Sequence, residues 1–491
     1  MSPIMAAPTK MQRHLDSAGA ATDKMAAMTA SYDLVILGAG SGGYACALRA
    51  AQLGLTVALI EKDKVGGTCL HRGCIPAKAI LHAAEIADAA RDGARFGVHA
   101  TVESIDAVGV RDYADGVVNR LYKGLTGLLG SRTITVVAGE GRLVRTEDGP
   151  AVVVGDQTYT GTGIVLASGS YPRTLPGLSI DGERVITSDH ALRLDRLPRS
   201  AVVLGGGVIG VEFASAWRSF GVDVTVVEAL PRLVPNEEPE ISQALTRAFR
   251  RRGIQAVTDH PMESLEQTTD GIRLKLGDRS LDADLLLVAV GRGPATDNLG
   301  YAEAGVALDR GFVTVSARLE TSVPGVYAVG DLVAGLQLAH RGFAHGIFVA
   351  EEVAARTGRY DSSPVPVLDR DIPKVTYSDP EIASVGLTEA QARETLGEVE
   401  TLKYDLGGNG RSQILKTQGF VKLVRAKDGP VVGVHMIGAR IGELVGEAQL
   451  ITNWDAHPSD VAGLIHAHPT QNEALGEAHL ALAGKPLHVH G

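Results

Sequence analysis

Two stretches of the chain carry the same rhythm of apolar and polar positions. From Asp33, DLVILGAGSGGYACALRAAQLGLTVALIEK opens on an unbroken apolar run. It passes through glycines into small apolar residues at helical spacing and closes on a second apolar run. From Ala201, AVVLGGGVIGVEFASAWRSFGVDVTVVEA repeats the order. Each stretch predicts strand, Gly-rich turn, helix and strand. The lack of alternation marks the strands as buried on both faces of a parallel sheet. Leu285 to Pro294, LLLVAVGRGP, predicts a further buried strand leading to a domain crossing. Lys78 to Glu85 predicts a helix, and GFVKLVRAKDGPVVGVHMIG, Gly419 to Gly438, suits an α+β module. A chain of 491 residues exceeds one hydrophobic core and divides into several domains.

The glycines give the repeat its chemistry. Gly38, Gly40 and Gly43 in the first copy, and Gly205, Gly207 and Gly210 in the second, follow G-x-G-x-x-G. The first glycine makes a tight turn, the second lets backbone approach a pyrophosphate, and the third lets helix pack on strand. Free N–H groups at the helix start face the phosphates. An acid closes each second strand, Glu61 and Glu228, 18 residues after the last glycine in both copies. Such an acid accepts hydrogen bonds from an adenosine ribose. Two copies imply two dinucleotides, or one and a remnant. Residues 229–231 bring no base before Arg232, so the second site favours NAD over NADP.

Composition narrows the partners. A formal net charge of −10 argues against a nucleic-acid binder and against an anionic membrane surface. No apolar run reaches the roughly 18–20 residues of a membrane span. Residues 1–30 lack the apolar core of a signal peptide. They read as a disordered extension, or as an upstream start with the working start near Met25 or Met28. The expected location is cytoplasmic. In that compartment three cysteines do not make a disulfide scaffold, and Cys46 reads as a small core residue on a buried helix face.

The other two cysteines, Cys69 and Cys74, stand in GGTCLHRGCIP, Gly66 to Pro76. A zinc clip needs about four ligands, and no second pair accompanies these two. On a regular helix, residues five apart lie about 8–9 Å apart. A disulfide spans roughly 4.4–6.8 Å. Bonding the two therefore requires a distortion, which Gly73 and Pro76 allow. A bond held in imposed geometry beside a cofactor suits an exchangeable disulfide better than a staple.

GGTCLHRGCIPAKAIL, Gly66 to Leu81, resembles the active-site segment of the flavin-dependent pyridine nucleotide–disulfide oxidoreductases. The chain from about residue 31 onward follows that family, and IHAHPTQNEALGEA, Ile465 to Ala478, is similar to its His-Pro-Thr…Glu motif. The resemblance implies an α/β fold with two Rossmann-like dinucleotide-binding domains, a central domain and a C-terminal α+β dimerisation domain, assembled as a homodimer. The expected boundaries are 31–174 for FAD, 175–296 for NAD, 297–364 for a central segment completing the FAD site, and 365–491 for the interface domain.

The resemblance also implies roles. Cys69 exchanges with the substrate sulfur and Cys74 lies against the flavin. His468, oriented by Glu473, is the base for a dithiol substrate. Lys78 sits near the flavin and pairs with Glu212. FAD contacts are expected at Gly38, Gly40, Gly43, Glu61, Lys62, Gly67, Thr68, Gly141, Ala167, Ser168, Gly169 and Asp331, and beneath the flavin ring at Leu338, Ala339 and His340. NAD contacts are expected at Gly205, Gly207, Val208, Ile209, Gly210, Glu212, Glu228 and Gly291. The implied reaction reoxidises dihydrolipoamide, carried on lipoyl domains of 2-oxo-acid dehydrogenase complexes or of the glycine cleavage system, and passes the electrons through FAD to NAD⁺. Two alternatives stay open: a related NAD(P)H-dependent disulfide reductase with another substrate, and a non-catalytic FAD-binding complex subunit. Glu228 disfavours NADP-preferring members, and the lack of any Cys after Cys74 disfavours mercuric-type members. The family often has Asn at His71, Ser at Ala77, Thr at Ser168, Ser at Asn472 and an acid at His345.

Taken alone, Thr470-Gln471-Asn472-Glu473 is a capping box in which Glu473 bonds back to the Thr470 N–H. The resemblance turns Glu473 toward His468, and two carboxylate oxygens allow both bonds. His466, His468, His479, His488 and His490 crowd the last 26 residues without the Cys or acid partners of a metal centre. No metal is expected, and the tail histidines read as solvated.

Overall fold

The computed structural model describes residues 28–488, built around three main sheets. The first sheet centres on β1 (Met28–Leu37). Helix α1 (Ser41–Gln52) crosses to β2 (Val57–Glu61), which pairs in parallel with β1. Two consecutive helices follow, α2 (Gly67–Arg72) and α3 (Cys74–Asp92). Strand β3 (Gln157–Leu166) pairs in parallel with the other edge of β1. Leu34, Val35 and Ile36 of β1 have no exposed surface, so successive side chains are buried on opposite faces. That two-sided burial is why the strand reads as an unbroken apolar run. An antiparallel extension, Arg142–Thr146 and Gly149–Val154, was not expected from the sequence.

Strand β1 starts at Met28, not after residue 30, because Met28 to Ala30 pair with Gln157 to Tyr159. Main-chain pairing holds this end and needs no apolar side chains, so the polar run conceals the strand start. The rest of the expected extension, residues 1–27, lies outside the described residues.

The second sheet repeats the device with β4 (Ser200–Leu204), α4 (Val208–Ser219) and β5 (Asp223–Val227). Helix α5 (Pro239–Arg252) follows, and β6 (Leu285–Val288) pairs in parallel with β4. Short strands at Val185–Thr187 and Gln255–Val257 complete five parallel strands. Helix α4 is apolar nearly all round because its far side packs on α3, where Ile80 and Ala84 join Val211 and Trp217 in one core. The chain then returns to the first sheet. β7 (Val326–Ala328) pairs with β3, and α6 (Ala339–Arg356) packs on α1.

The third sheet is antiparallel, with β8 (Glu381–Gly386), β9 (Phe420–Ala426) and β10 (Val431–Gly438) at its centre. Helices α7 (Val445–Asn453) and α8 (Glu473–Leu482) cover it. Among the described residues no helix is long and apolar enough to cross a membrane.

Helix α5 is fastened to the third sheet at its start, and to α3, α4 and the turn before β8 at its end. At its start, the buried Lys422 ammonium of β9 donates to Glu238 at 2.9 Å, Glu240 at 2.8 Å and Glu389 at 2.9 Å. Those three carboxylates lie close enough together to hold a metal ion, but the cation they hold is this ammonium. At its end, Arg252 donates to Ser215 and Ser219, each at 2.7 Å, to Asp88 of α3 at 3.2 Å, and to the Asp379 carbonyl at 2.9 Å.

Candidate active site

The two cysteines lie on different helices. Helix α2 stops at Arg72 and α3 starts at Cys74, with Gly73 between them at ψ −115. A Cβ on Gly73 would lie 3.1 Å from the Thr68 carbonyl oxygen. The break brings the Cα atoms of Cys69 and Cys74 to 4.7 Å, and the two form a disulfide. An unbroken helix would hold them about 8–9 Å apart. The His71 ring meets the Val65 carbonyl at 2.9 Å and lies edge-on to Tyr122, while Arg72 pairs with Asp63 at 3.0 Å. Cys46 is wholly buried, and its thiol is pushed far up by that burial.

The redox segment rests on the first glycine loop. Gly66 donates to the Ala39 carbonyl at 2.8 Å, and a Cβ on Gly67 would come within 2.6 Å of the Gly40 Cα. Thr68 follows at once. The two glycine loops are near copies. Gly38 at φ +105 and Gly205 at φ +113 leave no room for a side chain against the carbonyls of Ala167 and Ala289. Gly43 and Gly210 close on the carbonyls of Gly38 and Gly205. At Gly40 and Gly207, by contrast, an added Cβ would meet nothing within 4 Å. Each loop is therefore tight on its protein side and open at the N-terminus of its helix, the form a pyrophosphate requires. Val208 and Ile209 open α4 there.

The acids behave alike. Glu61 accepts N–H bonds from Ala39 at 2.7 Å and Asp63 at 2.9 Å. Glu228 accepts from Gly206 at 2.7 Å and Leu230 at 2.8 Å. Arg232, the nearest base, is turned to the carbonyls of Pro235 and Glu237.

Around these loops, Lys78 donates to both oxygens of Glu212, at 3.0 and 2.8 Å. Glu212 also accepts the Tyr377 N–H at 2.9 Å, and the ammonium lies 4.8 Å from the Tyr377 ring centroid. Asp331 accepts from Ser170 at 2.5 Å, and Arg292 donates to Ser170 at 2.8 Å. Ser168 donates to the Ala295 carbonyl at 2.7 Å, and Gly169 and Gly291 sit at φ +77 and +106. Leu338 and Ala339 begin α6, and the exposed His340 meets the Pro373 carbonyl at 2.7 Å. Gln337 carries a buried amide nitrogen with no partner among the described residues, at the turn expected beneath the flavin. Lys62 pairs with Glu140 at 3.2 Å, and the neighbouring Gly141 packs against Leu37 and Ile60. His345 is buried and accepts the Gly330 N–H at 3.3 Å. Burial and the nearby Arg341 lower it to about 4, so it stays neutral. The open glycine loops and the unpartnered Gln337 amide fit two dinucleotides. The sequence reading did not single out Ser170, Arg292 or Tyr377, because their contacts with Asp331, Glu212 and Lys78 join segments distant along the chain.

His468 and Glu473 meet as expected, with His468 Nδ1 2.8 Å from Glu473 Oε1. The other oxygen of Glu473 accepts the Thr470 N–H at 2.8 Å, the back-bond expected of a capping box, although α8 begins at Glu473 itself with Asn472 at its N-cap; the carboxylate thus ties the turn before the helix and holds the ring. Replacing Glu473 by Gln is expected to lower dithiol turnover by roughly 10–100-fold. Near-normal turnover with altered stability, from paired kinetic and thermal-melt measurements, would leave only the capping role.

The neighbouring histidines are not simply solvated. His479 is wholly buried, bonded to the Leu475 carbonyl at 2.6 Å, and lowered to about 4 chiefly by burial. His466 pairs with Glu447 at 2.9 Å and His488 with Glu477 at 2.8 Å. His488 nonetheless stays largely exposed, as expected of a tail histidine, whereas His466 is covered through Glu447 and His479 by the packing of its own helix. His490 lies outside the described residues.

Residues 32–346 match the family model described as pyridine nucleotide-disulphide oxidoreductase, and residues 372–479 match that family's dimerisation domain. The chain belongs to the pyridine nucleotide–disulphide oxidoreductase family, and membership implies binding of FAD and of NAD or NADP. It is 39% identical to a dihydrolipoyl dehydrogenase of Bacillus subtilis over 94% of this chain and 100% of the relative. It is 36% identical to the mitochondrial dihydrolipoyl dehydrogenase of Pisum sativum over 93% of this chain and 92% of the relative. Among solved structures it is similar to LpdA of Mycobacterium tuberculosis, at TM-score 0.81 and 26% identity, covering 93% of this chain and 99% of that one. It is also similar to the HOCl-induced flavoprotein disulfide reductase RclA of Escherichia coli, at TM-score 0.79 and 26% identity, covering 91% and 99%.

Proposed function

We propose that the chain is an FAD-dependent dihydrolipoamide:NAD⁺ oxidoreductase. It reoxidises dihydrolipoyl groups on the lipoyl domains of a 2-oxo-acid dehydrogenase complex or of the glycine cleavage system. The observation that carries this is the Cys69–Cys74 disulfide, formed across a helix break directly on the first dinucleotide loop. The full-length likeness to dihydrolipoyl dehydrogenases supports it.

In this reading His468 Nε2 takes the proton of one substrate thiol, while Glu473 holds Nδ1 and stabilises the imidazolium. The substrate thiolate attacks Cys69, the Cys69–Cys74 bond breaks, and a mixed disulfide forms. The second substrate thiol then closes the cyclic disulfide product, its proton passing to the departing Cys69 sulfur, which leaves two electrons on the cysteine pair, with Cys74 as thiolate. FAD, when bound, supplies the carrier that accepts electrons from thiols and delivers them as hydride. Gly38, Gly40, Gly43, Glu61 and Asp331 would hold it, with the Lys78–Glu212 pair beside it. The second loop would hold NAD⁺.

His468 is 76% exposed, and the nearby Leu464 and Ile465 are also exposed, Ile465 completely. These surfaces suit burial against a second copy. In a homodimer each His468 would serve the disulfide of the other subunit, and an isolated monomer would be inactive. A reducing cytoplasm suits a disulfide that must open in every cycle.

The direct test mixes FAD-loaded protein with dihydrolipoamide and NAD⁺ and follows NADH absorbance. Absence of NADH would overturn the reading in favour of another disulfide substrate or a docking subunit. NADP⁺ should be used about 100-fold less well, because Glu228 repels a 2′-phosphate and Arg232 is occupied. Steady-state kinetics of Glu228→Ala with both nucleotides should show that ratio narrowing, and an unchanged ratio would remove Glu228 as its cause.

A further inference from the structure

One carboxylate outside the residues assigned above touches both flanks of the segment that carries His468. Glu447, on α7, accepts from His466 Nε2 at 2.9 Å through one oxygen. Its other oxygen accepts the Asn472 side-chain amide. His466 lies just before His468 and Asn472 just after it. The backbone from Gly463 to Asn472 belongs to no helix or strand. The direction of the His468 ring therefore depends on side-chain ties rather than on a regular hydrogen-bond ladder.

Neutral ties hold only the later part of this loop. Asn409 donates to the Thr470 carbonyl at 3.0 Å, and Gln471 bonds to Ser412 and to the Ala439 carbonyl. Among the described residues, Glu447 is the side chain from another element that also bonds the part before His468. The contact is built in. The His466 side chain is only 10% exposed. Gly476 makes room for its ring, since a Cβ there would fall 2.5 Å from His466 Nδ1. The Glu447 bond draws His466 above the ordinary histidine range. Burial raises Glu447, but its bonds to His466 and Asn472 outweigh this and hold it low.

We propose that Glu447 is a positioning residue for the base: by clamping His466 and Asn472 it fixes the loop that aims His468 at the substrate thiol. This rests on His468 being that base. Two carboxylates then divide the work. Glu473 holds the ring, and Glu447 holds the backbone on which the ring is mounted.

The experiment compares wild type, Glu447→Ala, Glu447→Gln and His468→Gln as FAD-loaded enzymes. One assay is dihydrolipoamide with NAD⁺. The second is NADH with ferricyanide, which bypasses the dithiol site. The third is hydrogen–deuterium exchange of the peptide covering residues 465–473. Glu447→Ala is expected to speed exchange in that peptide and to lower dithiol turnover by roughly 10–100-fold, with ferricyanide reduction within about two-fold of wild type. Glu447→Gln, which keeps an acceptor oxygen, should lose less. The proposal is overturned if loop exchange or dithiol turnover is unmoved in Glu447→Ala, or if both activities fall in parallel. Failure of the underlying reading looks different: wild type would not oxidise dihydrolipoamide, or His468→Gln would retain full turnover.

Discussion

Replacing either Cys69 or Cys74 by serine is expected to lower dihydrolipoamide-dependent NAD⁺ reduction by on the order of 10⁴-fold or more. The reason is chemical rather than structural. A serine hydroxyl neither accepts electrons from a thiolate nor forms a bond that thiol exchange can break. The fold should survive, because the pair lies at the junction of two short-range helices rather than across a long loop, where a cross-link constrains the unfolded chain most. NADH absorbance at saturating dihydrolipoamide measures the loss, with circular dichroism and gel filtration to check the fold. NADH-dependent ferricyanide reduction should persist in both variants. Turnover within tenfold of wild type in either one would show that electrons reach NAD⁺ by another route.

The largest effect on stability is expected at Lys422. Its side chain is 4% exposed and that of Glu238 2% exposed, so neither charge has water as an alternative partner. Lys422→Met removes the cation and leaves Glu238 buried and unpaired, a loss of roughly 3–5 kcal/mol. Glu240 and Glu389 are more open to solvent and add less. A three-sheet protein need not unfold in one step, so the shift is best read as a denaturant midpoint for each transition. The double variant Lys422→Met/Glu238→Gln should regain part of the loss, because it no longer buries a lone charge. If Lys422→Met melts like wild type, the cluster is a passive arrangement of surface acids.

How much of this was legible beforehand follows from the range of the forces involved. The glycine loops, their acids and the buried parallel strands were readable because each depends on neighbours within about 30 residues. A distortion between Cys69 and Cys74 was readable once the two were taken to bond; Gly73 and Pro76 both allowed it, and the break falls at Gly73. Glu473 gave a double signal, cap and ring partner, and it makes both contacts. What stayed hidden is held by distant segments. Lys422 sits inside GFVKLVRA, where a lysine looks like the solvent-facing member of a strand; only the approach of α5 makes it a buried cation. His479 and His466 looked like surface residues, yet the first is buried by the docking of its own helix α8 on the third sheet and the second pairs with Glu447. The start of β1 was masked because main-chain pairing, not side-chain hydrophobicity, holds it.

Glu61 and Glu228 each accept two backbone N–H bonds from their own loops. A carboxylate offers about four acceptor sites, so roughly two on each remain open for the ribose hydroxyls of the dinucleotides proposed above. Both side chains are already frozen before any nucleotide arrives, and the ordering entropy of a glutamate, up to about 1.5–2 kcal/mol, is charged to folding rather than to binding. Mutating either acid therefore perturbs two things at once, the affinity for adenosine and the shape of the turn that receives the phosphates. A nucleotide fragment lacking the ribose should weaken in binding to these variants as well.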